Sequence, residues 1–208
     1  ILYLAFIVLT AFALGQKILE LIRLKPNSNL ENFAFSFPFG MAVLAYITFL
    51  VGILGFLYKS IVLSIFVIIF VLLIKDIFNF VKLAFGFVQS SYKKISNKKI
   101  NLKFDFYSIA LCILFTFILL NFIVSFTPPW HFDVLAYHLA VPKLYIHEHQ
   151  IIYIPYIFFS NLPSLIDTIY LIGLLLYNGI LSNLLAYSLG IALVIAIYSF
   201  CLRFFNKK

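Results

Sequence analysis

The chain has 208 residues, of which 64% are hydrophobic and only 11% charged, with a mean hydropathy of +1.12. A water-soluble domain carries roughly a quarter charged residues, so a water-exposed globular fold is excluded and lipid must be the solvent for much of this surface. The net charge of +8 does not point to nucleic acid, because the basic residues sit at the ends of apolar runs and in one polar connector; no basic helix face or aromatic-studded basic sheet is read from them.

The first apolar run extends from Ile1 to about Ile22 and ends at Arg23 and Lys25. It lacks the basic start and small-residue cleavage site of a signal peptide. Residue 1 is Ile and the single Met is Met41, so the chain is expected to be a piece of a larger protein. A second run spans about Phe37 to Tyr58, and Lys59-Ser60 turns into a third, Ile61 to Ile74, which Ile77-Phe78 can lengthen. Residues 75–103 form a polar connector. The fourth run goes from Phe104 to Phe126, and two more apolar segments follow, Leu162–Tyr177 and Ile180–Leu202. Cys112 and Cys201 lie inside such runs and read as small buried hydrophobes.

Charge sets the expected topology. The connector carries Lys75, Lys82, Lys93, Lys94, Lys98, Lys99 and Lys103 against Asp76 and Asp105, which makes it cytoplasmic by the positive-inside rule. The fourth run then leads outward. Arg203, Lys207 and Lys208 return to the cytoplasmic side only if one of the last two segments crosses. Leu162–Tyr177 is short, carries Asp167 and ends at Asn178-Gly179, so it reads as an interfacial helix. The expected fold is all-α: a polytopic transmembrane bundle of about five spanning helices, with an outer loop carrying two interfacial juxtamembrane helices. Its parts are three N-terminal transmembrane helices (1–74), the cytoplasmic basic connector (75–103), and a transmembrane helix, outer loop (127–179) and transmembrane helix (104–208).

That loop concentrates the chemistry. It holds all four histidines (His131, His138, His147 and His149), the single Trp130, and Asp133, Lys143, Glu148 and Asp167. Pro128-Pro129 stops the fourth helix, and a new helix is expected from about Asp133 to Val141, before Pro142. On it Asp133, Tyr137 and Val141 share a face, with His138 well off it. Asp133 can cap that helix or act chemically. Lys143 reads as a lysine reaching the headgroups or as a phosphate ligand. Asp167 reads as solvent-facing or capping, and His147-Glu148-His149 as a solvated turn rather than a metal site.

The string Asp133-Val134-Leu135-Ala136-Tyr137-His138-Leu139-Ala140-Val141-Pro142-Lys143-Leu144-Tyr145 resembles the first outer-loop motif of the GT-C glycosyltransferases, the polytopic group that includes the protein mannosyltransferases and the aminoarabinose and Rgt-type transferases. Ser160-Asn161-Leu162-Pro163, the helix Leu165–Leu176 and the last helix are also similar to that group, so the resemblance covers about residues 100–208. It implies transfer of a sugar from a polyprenyl-phosphate donor on the outer face of a bacterial plasma membrane, with inversion. It implies that Asp133 is the general base on the acceptor hydroxyl or helps hold a divalent cation at the donor phosphate. Tyr137, His138 and Lys143 are then the candidate substrate-binding residues. Many members have two adjacent acidic residues here, where this chain has Phe132-Asp133. A transporter or channel component and a non-catalytic membrane scaffold are the rival readings. The first asks for charged or broken helices near mid-membrane, whereas the runs here are nearly free of charge in their interiors.

Overall fold

The computed structural model describes residues 1–96, 106–161 and 165–205. Lys98, Lys99, Lys103 and Asp105 of the connector, Leu162-Pro163 and the terminal Lys207-Lys208 lie outside the described residues. All regular structure among the described residues is helical. Helices α1 (Leu2–Leu21), α2 (Asn29–Ile53), α5 (Phe106–Ser125) and α8 (Gly179–Phe204) are long and apolar enough to cross a membrane. A fifth span is available if α3 (Lys59–Leu72) and the start of α4 (Ile74–Ser96) count together, although the two are bent by 66° at Leu73. Ile77-Phe78 therefore does not prolong the third run along its own axis. The connector's first part is helix α4, and both Lys75 and Lys82, seven residues apart, are exposed on it. That spacing places them on one face, a basic helix face that the sequence reading did not find.

α1 and α2 form the tightest pair. Small residues spaced four apart, Ala11 and Gly15 on α1 and Ser36 and Gly40 on α2, let the backbones meet. A Cβ on Gly15 would lie 1.8 Å from the Ser36 carbonyl oxygen, and one on Gly40 1.7 Å from that of Ala11. α2 begins eight residues before the apolar run at Phe37, because Ser28 and Glu31 cap it. The Ser28 hydroxyl accepts from the Glu31 amide at 3.1 Å, and the Glu31 carboxylate accepts from the Asn27 amide at 2.6 Å, a relative of the capping box in which the carboxylate reaches the amide one residue before the cap. The core lies where α1, α2, α3, α7 (Leu165–Leu176) and α8 meet, around Ile7, Phe37, Met41, Phe66, Ile172 and Leu185.

The bundle has two distinct ends. At one, Lys17 bridges to Asp76 at 3.1 Å, and Arg203 Nη1 donates to Glu31 at 2.7 Å. This basic end joins the start of α2 to the finish of α8. At the other, the loop end, the Leu57 amide donates to the His149 carbonyl and the Ile151 amide to that of Gly52, both at 2.9 Å. His149 also stacks on Tyr58, with ring centroids 4.0 Å apart.

α7 has 12 residues, about 18 Å, against roughly 30 Å of bilayer hydrocarbon. Both of its ends stay at the loop end: Asp167 meets His138, and Tyr177, just past its finish, packs on Tyr3 at the start of α1. It folds back on α8 through Gly173, where a Cβ would be 2.5 Å from the Ser182 amide nitrogen. The arrangement agrees with a helix lying across this end. Cys112 and Cys201 are exposed on α5 and α8, not buried, because they lie on helix faces left uncovered by the bundle.

Candidate functional site

The loop between α5 and α8 is built as a π-helical turn, Val134–His138, then α6 (Ala140–Glu148), a 3-10 turn at Phe158–Asn161 and α7. The helix expected over Asp133–Val141 is thus split at Leu139. Pro142 does not end it; it sits in the first turn of α6, where its missing N–H would have no partner in any case. The π turn closes with the Leu139 amide donating to the Val134 carbonyl at 2.8 Å. Such wide turns recur at functional positions.

The turn carries Tyr137 and His138 to two different neighbours. Tyr137 stacks on Phe159, centroids 4.4 Å apart. His138 Nδ1 lies 2.5 Å from Asp167 Oδ1. Asp167 is therefore not solvent-facing: its side chain is only 16% exposed and pairs with an imidazole from 29 residues away. Tyr145 of α6 and Tyr170 of α7 complete the cluster. Burial, then the Asp167 charge, pushes both phenols above their ordinary pKa, as expected where an anion form would be desolvated beside a carboxylate. Sequence reasoning missed these two tyrosines and the pairing of Asp167, since no local pattern links a residue on α7 to one on the π turn.

Asp133 stands apart from this cluster. Its backbone is helical (φ −59°, ψ −39°) and its side chain makes no capping hydrogen bond, because a cap needs an extended backbone to swing its oxygen over the free amides. The carboxylate is exposed and has no partner among the described residues. Lys143 is exposed on α6, and no described contact joins it to Asp133 or to His138.

Beside Asp133 opens a groove of about 570 Å³ between α5 and α8. Its walls along the helices are mostly apolar, from Leu114, Phe117, Ile118, Ile191 and Val194, with Asn121 and Ser125 of α5 among them; its loop-end mouth is formed by Thr127, Trp130, His131, Val134 and Tyr170. Trp130 and His131 stack at 4.0 Å. Two hydrogen bonds tie α8 to the α5 side of the groove: Asn183 Nδ2 donates to the Thr127 carbonyl at 3.2 Å, and the Tyr187 hydroxyl to that of Ile118 at 3.3 Å. It offers an apolar channel with a polar, aromatic entrance, a shape suited to a chain with a polar head.

The donor set does not fit a protein-held divalent cation. No group of three or more His, Cys, Asp or Glu side chains gathers among the described residues; His147 pairs with Glu148 at 3.0 Å, while His149, with a left-handed backbone (φ +54°), faces Tyr58. Comparison with protein-family models, with curated proteins and with solved structures finds no match to this chain.

Proposed function

We propose that this chain forms the membrane-embedded site of a GT-C-type transferase, which moves a sugar from a polyprenyl-phosphate donor to an acceptor hydroxyl on the outer face of the membrane. The observation that carries the reading is the position of Asp133: an exposed carboxylate with no partner among the described residues, directly before Val134, which lines the mouth of the mostly apolar groove. In this reading the groove holds the start of the prenyl chain and the mouth holds the phosphate and the sugar.

The chemistry is a single displacement. The acceptor oxygen attacks the anomeric carbon as Asp133 takes its proton. The bond between that carbon and the phosphate oxygen breaks, and its electron pair leaves with the polyprenyl phosphate. The departing phosphate is best met by cationic or N–H donors; His131 in the mouth and Lys143 on α6 are the loop's candidates. His138 and Asp167 hold the π turn, and so the direction of Asp133, without touching the reacting atoms. A carboxylate with no hydrogen-bond partner of its own is available to a substrate proton, whereas a capping or ion-paired one is already engaged.

The test uses the full-length protein in proteoliposomes with a radiolabelled polyprenyl-phosphate hexose. Wild type should release or transfer the sugar, and Asp133→Asn should lose about 10²–10⁴ in turnover, the usual worth of a general base. Equal turnover in the two would remove Asp133 from the mechanism. Failure of either form to bind the donor would sink the transferase reading in favour of a scaffold or transporter component.

A further inference from the structure

Helix α4 presents three different faces. Ile77 is buried, and Phe80 stacks on Phe12 of α1 with centroids 3.8 Å apart; this face docks the helix on the bundle. Lys75, Asn79 and Lys82 are exposed and, by helical spacing, lie on the side turned away from that dock. A third stripe lies between them. Ile74, Phe78, Val81 and Phe85, at intervals of four, three and four, are all exposed, with Phe78 at 69% and Phe85 at 71%. Exposed phenylalanines beside lysines, on a helix of 23 residues or about 34 Å, are the pattern of a helix that lies in a membrane surface.

Its setting decides the occupant. α4 leaves α3 at 66°, which turns it toward the membrane plane; α3 alone has 14 residues, about 21 Å, a short segment of the kind that draws the bilayer thinner around it. α3 ahead of the bend is itself exposed and apolar at Val67, Ile68, Val71 and Leu72. Asp76, bonded to Lys17, holds the bend at the basic end, with Glu31 and Arg203 on the same side. Cationic side chains at a lipid boundary, here Lys75 and Lys82, suit anionic headgroups.

We infer that α4 is an in-plane membrane anchor whose Ile74–Phe78–Val81–Phe85 stripe enters one leaflet while Lys75 and Lys82 engage anionic lipid headgroups. The anchor would fix the angle at which α3 meets the basic end. It is independent of the proposed transferase chemistry.

The test is a spin-label scan of the full chain, with Cys112 and Cys201 replaced by serine, in nanodiscs of phosphatidylcholine with and without phosphatidylglycerol. Single cysteines replace Lys75, Phe78, Val81, Lys82 and Phe85 in turn, and thermal unfolding confirms that each variant folds. The ratio of oxygen to nickel-chelate collisions should be several-fold higher at 78, 81 and 85 than at 75 and 82. With phosphatidylglycerol present, labels at 78 and 85 should sit deeper, and Lys75→Glu with Lys82→Glu should remove that gain. High oxygen access at all five positions would mean a crossing helix, and high nickel access at all five a solvated one. Low access of both reagents at 78, 81 and 85 would mean that protein covers the stripe. Each of these overturns the anchor, and equal depth in the two lipids overturns its anionic preference.

Discussion

An imidazole and a carboxylate 2.5 Å apart contribute to stability in proportion to how well water is kept from them. With His138 about a third exposed and Asp167 mostly covered, Asp167→Asn and His138→Ala are each expected to cost about 1.5–2 kcal/mol, the lower part of the range for bonds to charged groups. Thermal unfolding in micelles measures it. Asp133→Asn, on an exposed carboxylate with no partner among the described residues, should stay within about 0.5 kcal/mol, so the same assay separates a bracing residue from a reactive one. The two raised tyrosines predict an alkaline response. Folded Tyr145 and Tyr170 hold their protons to higher pH than the unfolded chain. The unfolded state therefore binds fewer protons above about pH 10, and stability falls as pH rises from there toward the raised values. Tyr145→Phe with Tyr170→Phe should flatten that fall in a pH series of unfolding midpoints; an unchanged slope would place its origin elsewhere. Asp133 and His138 were legible as candidates from their residue types. The bond from His138 to Asp167 was not, since 29 residues separate them and only folding sets which acid an imidazole meets.

At the scale of elements, α1 and α2 show what small residues do when no hydrophobic effect drives helices together. Lipid is as apolar as leucine, so close backbone approach and dispersion must carry the pair. Gly15→Leu or Gly40→Leu puts a Cβ inside 2 Å of a backbone carbonyl oxygen, which rigid backbone cannot relieve. We expect at least about 3 kcal/mol of destabilisation, the upper part of the overpacking range, against little effect of a leucine at Gly190, where a Cβ meets nothing within 4 Å. Unfolding midpoints of the three variants decide between close packing and mere helix propensity. The four-residue spacing of Ala11 with Gly15 and of Ser36 with Gly40 was present in the sequence, as was the Ser28–Glu31 cap. Hydropathy does not mark the cap, because its residues are polar and precede the apolar run at Phe37. The split of the loop helix at Leu139 had no local signal beyond Pro142, and proline permits either a helix end or a helix start.

For the whole molecule, the contact that closes the bundle is the one between Arg203 and Glu31, 172 residues apart. Glu31 also receives the Asn27 amide, so one carboxylate caps α2 and ties it to α8. Glu31→Gln should cost about 1–2 kcal/mol, given that the arginine is half exposed while the carboxylate is largely covered. A double-mutant cycle with Arg203→Gln should recover a coupling; simple additivity would assign the loss to the cap alone.

The sequence by itself determined the solvent, the helical class, the order of the apolar runs and the crowding of polar groups into 127–179. These follow from local composition and from how far about 20 apolar residues reach. Tertiary structure alone decided that α4 bends from α3, that both ends of α7 stay at the loop end, that α5 and α8 leave a groove between them, and that His138 finds Asp167. The reason is physical: transfer from water to lipid is a sum over residues along the chain, whereas packing depends on which faces meet. In a chain whose helices are apolar on nearly every side, hydropathy does not say which those faces are.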